Sequence, residues 1–416
     1  MGKVIIHTRN TPTINLETFF LAFALFGYII CYIDPFSSDK LSQIINVLIR
    51  SSTFLLSIYF IIKNFNRVKE RKNIIFFFIS FYLLYLIKSE YTFYNYDFLP
   101  GVLEKLKKSF HYYMLVMPLP VVALLSFDYN KVNFSIFYKY VFWFLFVVLS
   151  LNFLYQILAS RMVNAGRSGI FRSYYILTGH YGLSLVIMVI YSYLFLEVKK
   201  AQQIAGLFLG LFPIYVSAAR SPVLALFCVF FVFLILKKNK KYWKVFFVST
   251  FLFFILLLIA YLTGTDILFF KRLNAAVFEG NASGRSYYLN KGLAEIVNHP
   301  LIGGRTFFED GSYPHNIFLD ILMSTGIIGG FLFGAYYIHV IRNFFKIITN
   351  ISQYKEAGIL VFFFLQYFIL AQTSGNAYSS FDFWYFSASL ITLGYLNYNN
   401  EKIKSNDSRG NTTGDH

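Results

Sequence analysis

The chain has 416 residues, of which 57% are hydrophobic, 21% aromatic and only 14% charged, with a mean hydropathy of +0.56. Soluble domains carry about 25% charged residues, so this composition excludes an ordinary soluble protein and reads as a polytopic membrane protein. The formal net charge of +17 sits in short basic clusters between apolar runs (KNFNRVKERK at 63–72, KKNKKYWK at 237–244), as positive-inside bias produces; with no recognition module present, nucleic acid is not expected as a partner.

A spanning helix needs about 20 residues. Spans are predicted near 16–33, 41–62, 73–88, 112–127, 136–158, 173–196, 204–219, 221–236, 245–262, 315–341, 357–373 and 381–396, about twelve in all. The fold class expected is therefore all-α and polytopic, one membrane domain over 1–396 followed by a polar, disordered cytoplasmic tail at 397–416. The first apolar run follows a basic start without a small-residue cleavage site, so it reads as a retained helix. A cytoplasmic N-terminus places the basic clusters at 63–72, 197–200, 237–244 and 342–355 inside, with both termini cytoplasmic. Cys31 and Cys228 both lie in apolar segments, which argues against a disulfide framework or a metal site.

The stretch 204–236 could be one long helix or two short ones. Basic flanks on both sides demand two crossings, with a turn at SAARSP (217–222). Each arm is then about 16 residues, or roughly 24 Å, against a hydrocarbon core of about 30 Å. That recesses Arg220 below the membrane surface, where an arginine is a functional candidate by default. The plain alternative is an arginine snorkelling to lipid phosphate.

Three outer loops stand out, at 88–111, 159–172 and 263–314. They place Arg161, Arg167, Arg172, Arg220, Arg272, Arg285 and Arg305 on the outer side, against the insertion bias. Anionic phosphates of a ligand would offset that, because the guanidinium fork matches phosphate oxygens. Some of these arginines are expected instead to pair with Asp266, Glu279, Glu295, Glu309 or Asp310.

The longest loop ends in SYPHNIFLDILMSTGIIGG (312–330). Pro314 suits a first helical position, which would put His315 in the first turn, where the helix dipole disfavours imidazolium. His315, Leu319, Leu322, Gly326 and Gly330 would share one face, and Gly326, Gly330 and Gly334 would let another helix approach closely. A His315 that only caps the helix is the structural alternative. His180 and His299 read as structural. Asp320 falls about 140° round the helix from His315, so it should not orient the imidazole.

No HExxH, GxSxG, Walker A or GxGxxG opens a route to metal-assisted, serine-dependent or nucleotide-driven chemistry. Outward arginines with one well-placed histidine suit group transfer from a phosphate-linked donor, with the histidine taking a proton from the attacking hydroxyl. A twelve-span secondary transporter is a different reading. Such carriers commonly show two similar halves, whereas the long loop here is late and unmatched.

Three motifs in order, SAARSP at 217–222, GRSYYLNKGLAEIVNHPLIGG at 284–304 and PHNIFLDILMSTGIIGG at 314–330, resemble the O-antigen polymerase and O-antigen ligase superfamily of bacterial inner-membrane proteins. The ligase pattern, His-Asn then nine residues and GxxG, is met by His315, Asn316, Gly326 and Gly329, with Gly330 where a threonine is common. The resemblance implies catalytic roles for His315, Arg220 and Arg285. Arg305, Arg167 and Arg172 are secondary candidates for holding the diphosphate, Asn316 is a further candidate for substrate binding, and neither cofactor nor metal is expected. The substrates implied are an undecaprenyl-diphosphate-linked oligosaccharide donor and acceptor. An inverting, GT-C-like transfer on the periplasmic face is implied, with membrane lipids, a chain-length regulator and a flippase as partners. The short segment between HPLIGG and PHN and the missing threonine lean towards the polymerase; the ligase, which transfers the finished glycan to lipid A–core, is the alternative.

Overall fold

The computed structural model describes residues 15–32, 39–158, 175–196, 199–264, 267–279 and 284–396. Within them the chain is all-helical. In order the principal helices are α1 (Leu16–Ala22), α2 (Asp39–Lys63), α3 (Lys72–Asn95), α4 (Val102–Val116), α5 (Pro118–Ser126), α6 (Phe134–Leu158), α7 (Tyr175–Phe195), α8 (Lys200–Ser217), α9 (Arg220–Lys237) and α10 (Lys240–Leu262). They are followed by α11 (Leu268–Val277), α12 (Arg285–Asn298), α13 (Ile317–Thr349), α14 (Ile359–Ser374) and α15 (Phe381–Leu393). Among the described residues nine helices are long and apolar enough to cross a membrane. The other predicted spans, 16–33, 204–219 and 381–396, are also helical. They are built as α1 with its continuation to Tyr32, as α8 and as α15. The protein is thus a multi-pass membrane protein. The tail at 397–416 lies outside the described residues.

The 204–236 stretch is two helices. α8 ends at Ser217, Ala218 takes a left-handed conformation (φ 47°), and α9 begins at Arg220. Ser217 Oγ accepts from the Ala219 N–H at 3.3 Å and steadies the turn. α8 packs against α7 through glycines: a Cβ on Gly182 would lie 2.5 Å from the Gly210 carbonyl oxygen. Without side chains at this crossing, the two backbones meet.

The glycines of α13 behave differently from the sequence expectation. Gly326 is not helical (φ 59°, ψ −159°) and breaks α13. The segment after α12 fills the break. Gly304 N–H donates to Met323 O (2.9 Å), Ile327 N–H to Pro300 O (2.8 Å) and Ile328 N–H to Leu301 O (3.2 Å). The backbone groups freed by the kink are therefore satisfied by a loop, as backbone at membrane depth requires. Gly326 faces this loop rather than a helix, and a Cβ on Gly334 would meet nothing within 4 Å. The single-face alignment expected from His315 to Gly330 fails for the same reason.

α3 braces the loop from the other side. Lys88 Nζ donates to Gly303 O (2.9 Å), and the Thr306 N–H donates to Thr92 Oγ1 (2.9 Å). Below, Phe78, Phe81, Phe333, Tyr336 and Trp384 join α3, α13 and α15 in one buried aromatic cluster. α10, by contrast, exposes Phe247, Phe251, Leu252 and Leu256, as a helix facing lipid would.

Candidate active site

A cavity of about 930 Å³ opens where α7, α9, α11, α12 and the segment before α13 converge. Arg220, Arg285 and His315, 95 residues apart at the extremes, all line it. Lys271 and Arg272 of α11 and His180 of α7 line it as well.

Arg220 and Arg285 each open a helix, α9 and α12, and neither helix has a side-chain cap. Gly284 precedes α12 with φ 76°, a left-handed turn that glycine adopts without strain. An uncapped helix N-terminus presents unpaired N–H groups and a positive dipole end, and each here begins with a guanidinium. Arg272 and Arg285 are close enough to Arg220 for their charges to repel it. Arg272 lies 5.7 Å over the Tyr175 ring, and its Nη1 is shielded from solvent without a hydrogen-bond partner. Cationic side chains gathered in a cavity can hold an anion.

His315 is placed differently from the sequence expectation. α13 begins at Ile317 with Asn316 as N-cap, whose Oδ1 accepts from the Leu319 N–H at 3.0 Å. His315 precedes the cap, with φ 59°, a left-handed conformation that costs a non-glycine residue on the order of 1–2 kcal/mol. Pro314 therefore precedes the helix instead of opening it. Asp310 organises the approach: its carboxylate accepts from Ser312 N–H (2.9 Å), Ser312 Oγ (2.9 Å) and the Tyr288 hydroxyl. Tyr313 stacks obliquely on His315 at 4.6 Å. Burial first, then the Arg285 guanidinium, lower the pKa of His315 below its ordinary value, with Asp310 opposing. The neutral imidazole expected from a helix dipole is thus favoured by desolvation and a neighbouring arginine. His315 Nδ1 is buried and has no hydrogen-bond partner.

Asn316, expected to bind substrate, is occupied as the cap and by donating from Nδ2 to Gln372 O at 3.1 Å. Arg305 is not brought to the cavity: its Nε pairs with Glu295 Oε1 at 2.8 Å, its Nη1 with Glu309, and it stacks on Tyr96. Burial opposes it, but hydrogen bonds from Lys291 and Arg305 bring the Glu309 pKa down to about 2. This is the carboxylate pairing anticipated for part of the outer arginines. Arg161, Arg167 and Arg172 lie outside the described residues. Asp320 is buried and accepts from Tyr85 Oη (3.0 Å) and the Ala377 N–H (2.8 Å), so it serves the fold and not His315.

Sequence reading missed Asp382. It stands in the first turn of α15 and lines the cavity, and its Oδ1 is shielded from solvent without a partner. The signal was present as a carboxylate at the start of an apolar run, but nothing in the sequence connects it to residues 220–315. Among the described residues no three His, Cys, Asp or Glu side chains group as metal ligands.

No curated protein and no solved structure matches this chain. A family model does: residues 205–334 match the family described as O-antigen ligase. The match spans Arg220, Arg285 and His315 and just under a third of the sequence. Over that segment the chain is similar to the O-antigen polymerase and ligase superfamily.

Proposed function

We propose that the protein is an O-antigen polymerase, transferring an undecaprenyl-diphosphate-linked glycan to the next lipid-linked repeat unit on the periplasmic face of the inner membrane. The observation that carries this reading is the convergence of Arg220, Arg285 and His315 on one cavity.

In the proposed step, a hydroxyl oxygen of the acceptor sugar attacks the anomeric carbon of the donor. The new C–O bond forms as the bond from that carbon to the diphosphate oxygen breaks. The electron pair leaves with the polyprenyl diphosphate, and the hydroxyl proton passes to the neutral imidazole of His315. Arg220 and Arg285, with Arg272 and the two helix N-termini, stabilise charge as it develops on the leaving diphosphate. Direct displacement inverts the anomeric centre. The arginines supply the electrostatic stabilisation, so the step as written calls on no metal ion.

The description of the matched family favours the second reading, an O-antigen ligase that delivers the finished glycan to lipid A–core. A deletion strain separates the two. Lipid A–core that still carries single repeats but no longer chains identifies the polymerase; lipid A–core stripped of all repeats identifies the ligase. Purified protein that leaves polyprenyl-diphosphate-linked repeats unchanged, whether a second lipid-linked repeat or lipid A–core is offered as acceptor, would refute the transferase reading.

A further inference from the structure

The cavity has two chemically different walls. Arg220, Lys271, Arg272 and Arg285 form one, from α9, α11 and α12. No lysine or arginine lines the cavity on the other, where the Arg50 guanidinium lies behind, 5.5 Å over the Tyr113 ring. This second wall is built from Tyr113 of α4, Tyr313 before α13, and Tyr378 and Asp382 at the start of α15. The three tyrosines come from separate parts of the chain and touch in series. Tyr113 and Tyr378 are 5.9 Å apart at 45°, and Tyr378 and Tyr313 are 6.5 Å apart at 90°. Tyr313 then continues to His315 at 4.6 Å. Tyr378 is 8% exposed and backs the other two, which are partly exposed.

Taking the proposed transferase as given, we propose that this wall is the subsite for the sugar ring of the acceptor, with Tyr113, Tyr313 and Tyr378 as its platform and Asp382 as its hydroxyl anchor. A pyranose is apolar on the faces where its C–H bonds point and polar around its rim. Aromatic rings cover such faces, and a carboxylate accepts strongly from rim hydroxyls. Asp382 Oδ1 is shielded from solvent and makes no hydrogen bond, a costly state for a buried polar oxygen unless a ligand hydroxyl completes it. Position also decides which sugar is bound. The donor carbon is tied to its diphosphate and so belongs beside the cationic wall. The tyrosine wall, which reaches His315 through Tyr313, is left for the incoming hydroxyl. These four are positioning residues, in contact with the acceptor but not with the breaking bond.

The test uses the full-length protein in detergent and two probes. One is the free oligosaccharide repeat released by mild acid from the cell's own surface polysaccharide; the other is inorganic pyrophosphate. Affinity for each is titrated separately and then together. Tyr378→Leu and Asp382→Asn should each weaken oligosaccharide binding about tenfold, the worth of one aromatic or charge-assisted contact. Pyrophosphate affinity should stay unchanged. Tyr313→Leu, at a partly exposed ring, gives the same reading if Tyr378→Leu does not fold. Tyr378→Phe should bind like the wild type. Saturating pyrophosphate should leave oligosaccharide binding intact. Equal oligosaccharide affinity in wild type, Tyr313→Leu and Asp382→Asn would overturn the subsite, as would displacement of the oligosaccharide by pyrophosphate. Failure of the transferase reading looks different: wild-type protein that binds neither probe.

Discussion

Replacing Gly326 with Ala tests the unusual way in which the site is held. A Cβ at Gly326 would lie 2.5 Å from the Gly303 nitrogen and 2.5 Å from the Leu301 carbonyl carbon and oxygen, all backbone atoms. The backbone there (φ 59°, ψ −159°) is one that only glycine adopts readily. Strain of about 1–3 kcal/mol and overpacking of about 1–3 kcal/mol together predict a loss of roughly 2–6 kcal/mol. It falls on the hydrogen bonds joining residues 300–304 to α13, which hold α12 and its Arg285 in register with His315. Gly334→Ala is the control, since a Cβ there meets nothing and alanine favours a helix by up to about 1 kcal/mol. Thermal unfolding in one detergent should show Gly326→Ala markedly destabilised and Gly334→Ala at or above wild type. Transfer activity should fall only in the first. If the two variants are equally stable, the loop does not occupy the break in α13. If Gly334→Ala is the worse, a helix–helix stripe along α13 is the better description.

Arg220→Lys keeps the charge but loses the planar fork, so pyrophosphate binding should weaken by about tenfold, with weak transfer remaining; wild-type affinity would show that a point charge suffices. The His315 pKa lies below its ordinary value of 6.5. Transfer should therefore rise with pH on the acid side of that value and level off above it, and a rise centred well above 6.5 would point to another base. Arg305→Ala should lower the unfolding temperature by releasing Glu295 and Glu309 while leaving pyrophosphate affinity unchanged; a loss of that affinity would return Arg305 to the binding site.

The membrane helices were legible because apolar length is a one-dimensional signal. The turn at 217–222 was legible because basic clusters at 197–200 and 237–244 require an even number of crossings between them. His315 was also singled out, but its placement was misread. Pro314 and Asn316 both look like helix starts, and the Asn316 cap outcompetes proline, leaving His315 outside the helix. The four-residue glycine spacing in α13 suggested a helix interface. That spacing says nothing of φ, and at Gly326 a positive φ ends the helix. Gly182 and Gly210, which do carry a helix contact, lie on different helices, so no spacing within one segment reveals them. Arg305 and Arg220 look alike in sequence. They part company because Glu295 and Glu309 reach only the first. Tyr378 and Asp382 join the cavity through contacts across hundreds of residues, which sequence alone does not display.

The account rests on His315 as the group that takes the acceptor's proton, and one comparison tests that directly. His315→Ala and His315→Gln are purified and supplied with polyprenyl-diphosphate-linked repeats, and chain growth is followed across pH alongside pyrophosphate binding. Glutamine hydrogen-bonds but takes up no proton in this range, so it would rescue a histidine that only shapes the segment before α13. Both variants should fold, bind pyrophosphate like the wild type and fail to extend chains. A His315→Gln protein that extends chains at the wild-type rate with the wild-type pH profile would contradict the account and move the base to Asp382 or Asp310.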